Sequence, residues 1–293
     1  MRPRAAFLAA VALALLSVTS GSRAQAPAAS QHRHALQASG KAQPLKYLVF
    51  LPPEYGAGER SWPVILFLHG AAQRGSNLEA VKKTGLPLIL ERQAEFPAIV
   101  VAPQCPAGLR WTTPAVLDGL LGVLDEVGRS YAVDADRVYV TGLSLGGFGT
   151  WGLAMREPGR FAAIAPICGG AQPSRACLLK DTPVWIYHGA RDTGVPAHRA
   201  KAMYAALEAC GADVHFTLYP QAGHDAWTPA YSDPEFYTWL FGHARRPAGS
   251  GPAAPGTVTG RSQGGAVAAG SAAAAPTPEA PQDGAAGASG ADH

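Results

Sequence analysis

The stretch RVYVTGLSLGGFGTWGLAM, Arg137 to Met155, changes character within a few residues. Up to Thr141 it is β-branched and apolar in alternation, the pattern of a buried strand; beyond Gly146 it is small and then helical. Between the two lies Gly142-Leu143-Ser144-Leu145-Gly146, a serine with glycine two places to either side. A strand that enters a helix with no spare residues forces the turn residue into a strained backbone conformation. Bulky neighbours two places away would clash, which accounts for both glycines. The expected result is a hydroxyl presented at the top of a sheet, with the Leu145 amide at a helix N-terminus where it can face an oxyanion. G-x-S-x-G alone is common by chance, and the strand–turn–helix context is what gives it weight.

Working outward, short apolar runs recur at Tyr47–Leu51, Val64–Leu68, Ile99–Ala102, Val138–Thr141, Phe161–Ile167, Val184–Tyr187 and Val214–Tyr219. Most lack polar alternation, as strands buried on both faces do. Helical segments separate them. Thr113-Pro114 is a helix start, followed by Leu117, Leu120, Leu121, Leu124 and Val127 at helical spacing; a second helix opens near Pro196 and closes at Gly211. Strand–helix alternation predicts an α/β fold, a doubly wound, mostly parallel sheet with helices on both faces. Ligands of such sheets bind beyond the carboxyl ends of the strands.

A serine hydroxyl is a weak nucleophile unless a base, oriented by a third group, takes its proton. In this fold class the acid and then the histidine follow later strands. Asp192 comes after PVWIYHG, and His224 after VHFTLYP. Asp181 and Asp213 precede strands and belong at the opposite end of the sheet. His188 and His215 lie in or beside strands and read as packed, and Asp225 reads as pointing away from the site. The loop after VILFLHG should supply a second oxyanion donor, the Ala71 amide, with His69 structural. Trp111 and Trp227 lie near strand-end loops and are candidate substrate-binding walls, whereas Trp151 and Trp185 read as core.

The ends of the chain differ from this core. Residues 1–26 carry Arg2 and Arg4, an apolar run from Ala5 to Val18 and small residues at a cut site, the pattern of a secretory signal peptide. The run is shorter than the roughly 20 residues that span a bilayer. Residues 27–40 read as a linker, 41–245 as the catalytic domain, and 246–293 as a disordered tail rich in Ala, Gly and Pro. Of 293 residues, 47% are hydrophobic and 15% charged, and the net charge of +3 is too small to argue for nucleic acid or a membrane surface. The expected location is secreted or periplasmic, with neither stable membrane insertion nor an evident protein partner.

Secretion implies an oxidising compartment for the four cysteines. Cys177 and Cys210 each lie shortly before consecutive strands, which predicts a Cys177–Cys210 disulfide, with Cys168–Cys177 as the rival pairing. No metal-ligand spacing is present, and no cofactor is expected. Gly146, Gly147 and Gly149 follow a serine and lack the acidic partner of a dinucleotide fold.

The ordered stretches VFLPPEY, LFLHGAAQRG, VVAPQCP, VTGLSLGGFGTW, WIYHGARDTGVP and YPQAGHDAW resemble the α/β-hydrolase superfamily. In particular they are similar to secreted bacterial esterases grouped as predicted peptidases, phospholipase/carboxylesterases or polyhydroxybutyrate-depolymerase-like proteins. The resemblance implies Ser144 as nucleophile, His224 as base, Asp192 as orienting acid, and Ala71 with Leu145 as oxyanion donors. One departure is Ala72-Gln73-Arg74-Gly75, where relatives usually carry Gly-Glu-Arg-Gly. The implied activity is hydrolysis of small-molecule or polymer-linked carboxylic esters. A serine peptidase and a silent binding protein on a hydrolase scaffold are the alternatives. The interval Cys168–Pro183 is too short for a helical cap, so no cap domain is expected.

Overall fold

Each apolar run forms a strand. The computed structural model describes residues 31–35, 42–93 and 95–245; the expected signal peptide and C-terminal tail lie outside the described residues. The strands are β1 (Gln31–Ala35), β2 (Lys46–Phe50), β3 (Trp62–Leu68), β4 (Ile99–Pro103), β5 (Val133–Leu143), β6 (Ala163–Ile167), β7 (Val184–Gly189) and β8 (Val214–Tyr219). They form one sheet in the order β1-β2-β4-β3-β5-β6-β7-β8. β1–β2 and β2–β4 are antiparallel, and the remaining pairs are parallel. β1 falls inside the stretch expected to be a linker. It pairs with β2 from Gln31↔Phe50 to Ala35↔Lys46, so β2 keeps no open edge of unpaired backbone groups.

The helices are α1 (Gly85–Leu90), α2 (Pro114–Ser130), α3 (Leu145–Arg156), α4 (His198–Ala209), α5 (Trp227–Ser232) and α6 (Pro234–Phe241). Strand residues alternate between two apolar layers, as the pleat requires. Val64, Leu66 and Leu68 pack with residues of α2, α3 and α4, whereas Ile65 and Phe67 pack with those of α1, α5 and α6. α2 begins with proline in its first turn and buries Val116, Leu117, Leu120, Val123, Leu124 and Val127, one continuous stripe at helical spacing. α4 ends at Ala209, two residues before the glycine expected to close it. Gly211, at φ +69°, takes the left-handed conformation that closes the helix.

Chain order reverses at β3: β4 lies on one side of it and β5 on the other. The carboxyl ends of β3 and β5 therefore flank the crevice where an open α/β sheet takes its ligand. Between β6 and β7 the chain forms only the short 3₁₀ segment Pro173–Leu179 and no α-helix. Cys177 in that segment is bonded to Cys210 at the end of α4, with Cα atoms 5.4 Å apart; Cys105 and Cys168 are free and buried. No helix among the described residues is long and apolar enough to cross a membrane.

Candidate active site

Ser144 stands between the last residue of β5 and the first of α3, with φ 55° and ψ −116°, outside the regions open to most side chains. Its amide donates to Ile167 O at 2.9 Å, and its carbonyl accepts from the Phe148 amide at 3.1 Å. A side chain on Gly146 would be driven into the Leu68 carbonyl oxygen. One on Gly142 would sit 2.6 Å from the same atom. The flanking glycines thus let β3, β5 and α3 meet closely enough to hold the serine in its unfavourable conformation.

Asp192 leaves β7 and His224 leaves β8, and backbone bonds stitch the two loops together. Ala190 N donates to Tyr219 O and Arg191 N to Ala222 O, each at 2.9 Å. Gly189 leaves no room for a side chain against the backbone of Ala222 and Gly223. Ser144 Oγ lies 2.8 Å from His224 Nε2, and His224 Nδ1 lies 2.7 Å from Asp192 Oδ2. The Asp192 side chain is wholly buried; that of His224 is 36% exposed. Asp192 Oδ1 accepts from the amides of Gly194 (2.9 Å) and Val195 (2.8 Å). Burial works to raise the Asp192 pKa, but the His224 bond and the Val195 and Gly194 amides outweigh it, and the carboxyl titrates below its ordinary value. Asp225 bonds instead to the amide and hydroxyl of Thr228, and Asp181 and Asp213 precede β7 and β8 at the other end of the sheet.

Ala71 follows β3 and Leu145 opens α3, so their amides lie at the two strand ends that flank the crevice. Neither amide donates to an acceptor among the described residues. His69 is fully buried and supports this corner from behind. The Cys105 amide donates to Nε2 at 3.0 Å, which leaves the proton on Nδ1, 2.7 Å from Gly70 O. Burial pulls the His69 pKa down to about 4, helped by the Arg74 charge, and the Gly70 bond offsets only part of that.

Trp111 is not a substrate wall. It is wholly buried, its indole N–H donates to His69 O at 2.9 Å, and its ring meets the His69 ring edge-on at 4.9 Å. A buried indole N–H needs an acceptor, and the one it found is in the core. Trp227 is half-buried and stands edge-on to His224 with ring centroids 5.3 Å apart. Trp151 and Trp185 are core residues. His215, expected to be packed, is an exposed residue of β8 that lies against Trp185 and Trp239. A cleft of about 390 Å³ opens one turn of α3 beyond Ser144, lined by Phe148, Gly152, Met155, Gly170, Arg175 and Arg199 among others.

Sequence reasoning placed His188 in the core without a role. It is wholly buried on β7 with Nε2 2.8 Å from Val195 O and 3.4 Å from Asp192 Oδ2. Its position four residues before Asp192, across a glycine, is the signal that could have drawn attention to it. Cys168, His188 and Asp192 bring metal-capable atoms within 4.8 Å of one another. All three are already engaged: Cys168 Sγ donates to His224 O at 3.1 Å, and burial pushes its thiol pKa up to about 12.

The fold and parts of the sequence recur in known proteins. The chain is 26% identical over 210 residues to a poly(3-hydroxyoctanoate) depolymerase of Pseudomonas fluorescens, covering 62% of this chain and 74% of that one. It is 24% identical over 243 residues to dipeptidyl-peptidase 5 of Porphyromonas gingivalis, where the match covers 66% of this chain but only 35% of the peptidase. Among solved structures, a thermostable esterase superposes with TM-score 0.64 and 28% identity over 73% of this chain and 63% of its own. A ferulic acid esterase superposes with TM-score 0.59 over 73% of this chain and 99% of its own, at 18% identity, a likeness of fold alone. The dienelactone hydrolase family model matches residues 86–233, just over half of the chain and the whole stretch from Ser144 to His224, and the chain belongs to that family.

Proposed function

We propose that the protein hydrolyses carboxylic esters through an acyl-serine intermediate. The observation that carries this reading is the unbroken run of hydrogen bonds from Asp192 through His224 to Ser144, set beside two amides without acceptors. His224 Nε2 takes the Ser144 proton as Oγ attacks the ester carbonyl. The carbonyl oxygen gains its negative charge facing the Ala71 and Leu145 amides. The imidazolium so formed is held by the Asp192 carboxylate and gives its proton to the departing alkoxide. Water then repeats the sequence on the acyl-serine and releases the acid.

The esterase and depolymerase relatives support an ester substrate, small or presented on a polymer. The absence of an α-helix between β6 and β7 supports an open site without a cap, and the leader-like residues 1–26 support secretion. In this reading residues 41–245 carry the activity. The test is turnover of a short-chain nitrophenyl ester by the parent and by Ser144→Ala, with labelling by a serine-directed phosphonate. The variant should stay folded, lose phosphonate labelling and lose several powers of ten in rate. A variant that keeps more than a few per cent of parental activity rejects Ser144 as nucleophile.

A further inference from the structure

The imidazole of His188 is an expensive choice for its position. It is fully buried, and its Nδ1 has no hydrogen-bond partner among the described residues. An orphaned polar atom in the core destabilises the fold, and a leucine there would avoid the penalty. What the imidazole does contribute lies at its other nitrogen. Val195 O has no proton to give, so Nε2 carries the proton and donates it across 2.8 Å. Burial lowers the His188 pKa and keeps the ring neutral, although Asp192 works in the other direction.

Val195 is therefore gripped at both ends of its residue. Its amide donates to Asp192 Oδ1 and its carbonyl accepts from His188. β7 is paired on both sides and buried along its length, so a donor carried on it holds Val195 in turn. With Val195 and Gly194 holding Oδ1, the second oxygen is turned toward His224 at 2.7 Å. His188 itself stays 3.4 Å from that oxygen, too far to compete for it.

We propose that His188 is a positioning residue for the catalytic pair: by donating from Nε2 to the Val195 carbonyl it locks the Asp192 turn, so that Oδ2 is presented to His224 alone. This rests on the ester hydrolase reading and adds a residue to it. The other groups facing His188 are Asp192 and His224, with Cys168 in the same cluster.

The lock makes a specific chemical demand. Glutamine places its amide nitrogen the same number of bonds from Cβ as Nε2, whereas asparagine places its nitrogen at the Nδ1 position. His188→Gln should keep the bond to Val195, and His188→Leu and His188→Asn should lose it. The experiment measures kcat and KM on a short nitrophenyl ester for the parent and the three variants, together with the low-field proton resonance of His224 Nδ1–H. His188→Leu should lose about 10²-fold in kcat, the scale of a small misplacement of a catalytic group, with KM within about twofold of the parent. Its low-field resonance should shift upfield or vanish, and His188→Gln should restore both. A folded His188→Leu with parental kcat and resonance overturns the proposal, as does His188→Gln no better than His188→Leu. Should the leucine variant fail to fold, the Gln and Asn variants decide: Gln near parental and Asn deficient supports the lock, and equal activity overturns it. A parent that neither turns over esters nor reacts with phosphonate overturns the ester reading itself. An active parent beside an equally active leucine variant overturns only the role of His188.

Discussion

His69 Nδ1 lies 2.7 Å from the carbonyl oxygen of Gly70, and that carbonyl belongs to the same peptide unit as the Ala71 amide. Because a peptide is planar, holding its C=O on one side fixes the direction of its N–H on the other. The histidine thus aims the amide assigned to the oxyanion without touching substrate. Removing one oxyanion donor from a hydrolase costs about 10²–10³ in kcat, and a loosened donor should cost less. His69→Ala is accordingly expected to lower kcat by about 10- to 100-fold. Steady-state kinetics on a folded variant check this, and unchanged kcat would separate His69 from the oxyanion corner.

The same histidine should make the fold acid-sensitive. Its native pKa of about 4 lies below the ordinary 6.5, so between those values the unfolded chain binds a proton that the native protein does not. Stability then rises with pH: the contribution is complete above about pH 6.5 and is lost as pH falls toward 4, amounting to about 3 kcal/mol. Asp192, lowered from its ordinary value, adds a loss at still lower pH. Urea unfolding at pH 7, 5.5 and 4 for the parent and for His69→Gln should give a gap that narrows as pH falls. A gap independent of pH would refute the buried neutral ring.

The Cys177–Cys210 bond closes a loop across a sequence separation of 33 and ties the segment between β6 and β7 to the end of α4. Loop-closure entropy for that length is roughly 3–4 kcal/mol. Cys177→Ser should lower the unfolding free energy by about that amount and leave kcat unchanged, since neither cysteine belongs to the loops that carry Ser144, Asp192 or His224. Chemical denaturation of the oxidised parent and the variant measures the difference. Equal midpoints would show that the bridge adds nothing.

An open site offers little apolar wall for a long acyl chain. Each added methylene contributes about 0.8 kcal/mol only where it is buried. Short acyl esters should therefore be turned over best, with no rise in rate when the substrate forms micelles. A series of nitrophenyl esters of increasing chain length, measured on both sides of micelle formation, tests this. A maximum at long chains, or a jump at micelle formation, would require a cover that Cys168–Pro183 does not provide.

Ser144, Asp192 and His224 were legible because each follows a buried apolar run directly, and strand ends are where such sheets do chemistry. Their mutual distances follow from the order β5-β6-β7-β8, which places the three loops along one edge. The strand at Gln31–Ala35 was not legible, because QHRHA carries no apolar pattern. Trp111 misled because nearness to a strand end does not say which way a ring turns. Its N–H had an acceptor in His69 O, and the ring turned inward. His188 was hidden for a related reason: a histidine within a strand looks like packing until the turn that follows is seen folding back onto it.

The strained conformation at Ser144 has a consequence over evolutionary time. Glycine occupies positive φ at no steric cost, while serine held there stores about 1–3 kcal/mol. Ser144→Gly should therefore unfold at a higher temperature than the parent and, under the proposed mechanism, lose ester turnover. If Ser144 is the nucleophile as proposed, a descendant relieved of selection for turnover would gain stability by exchanging it for glycine.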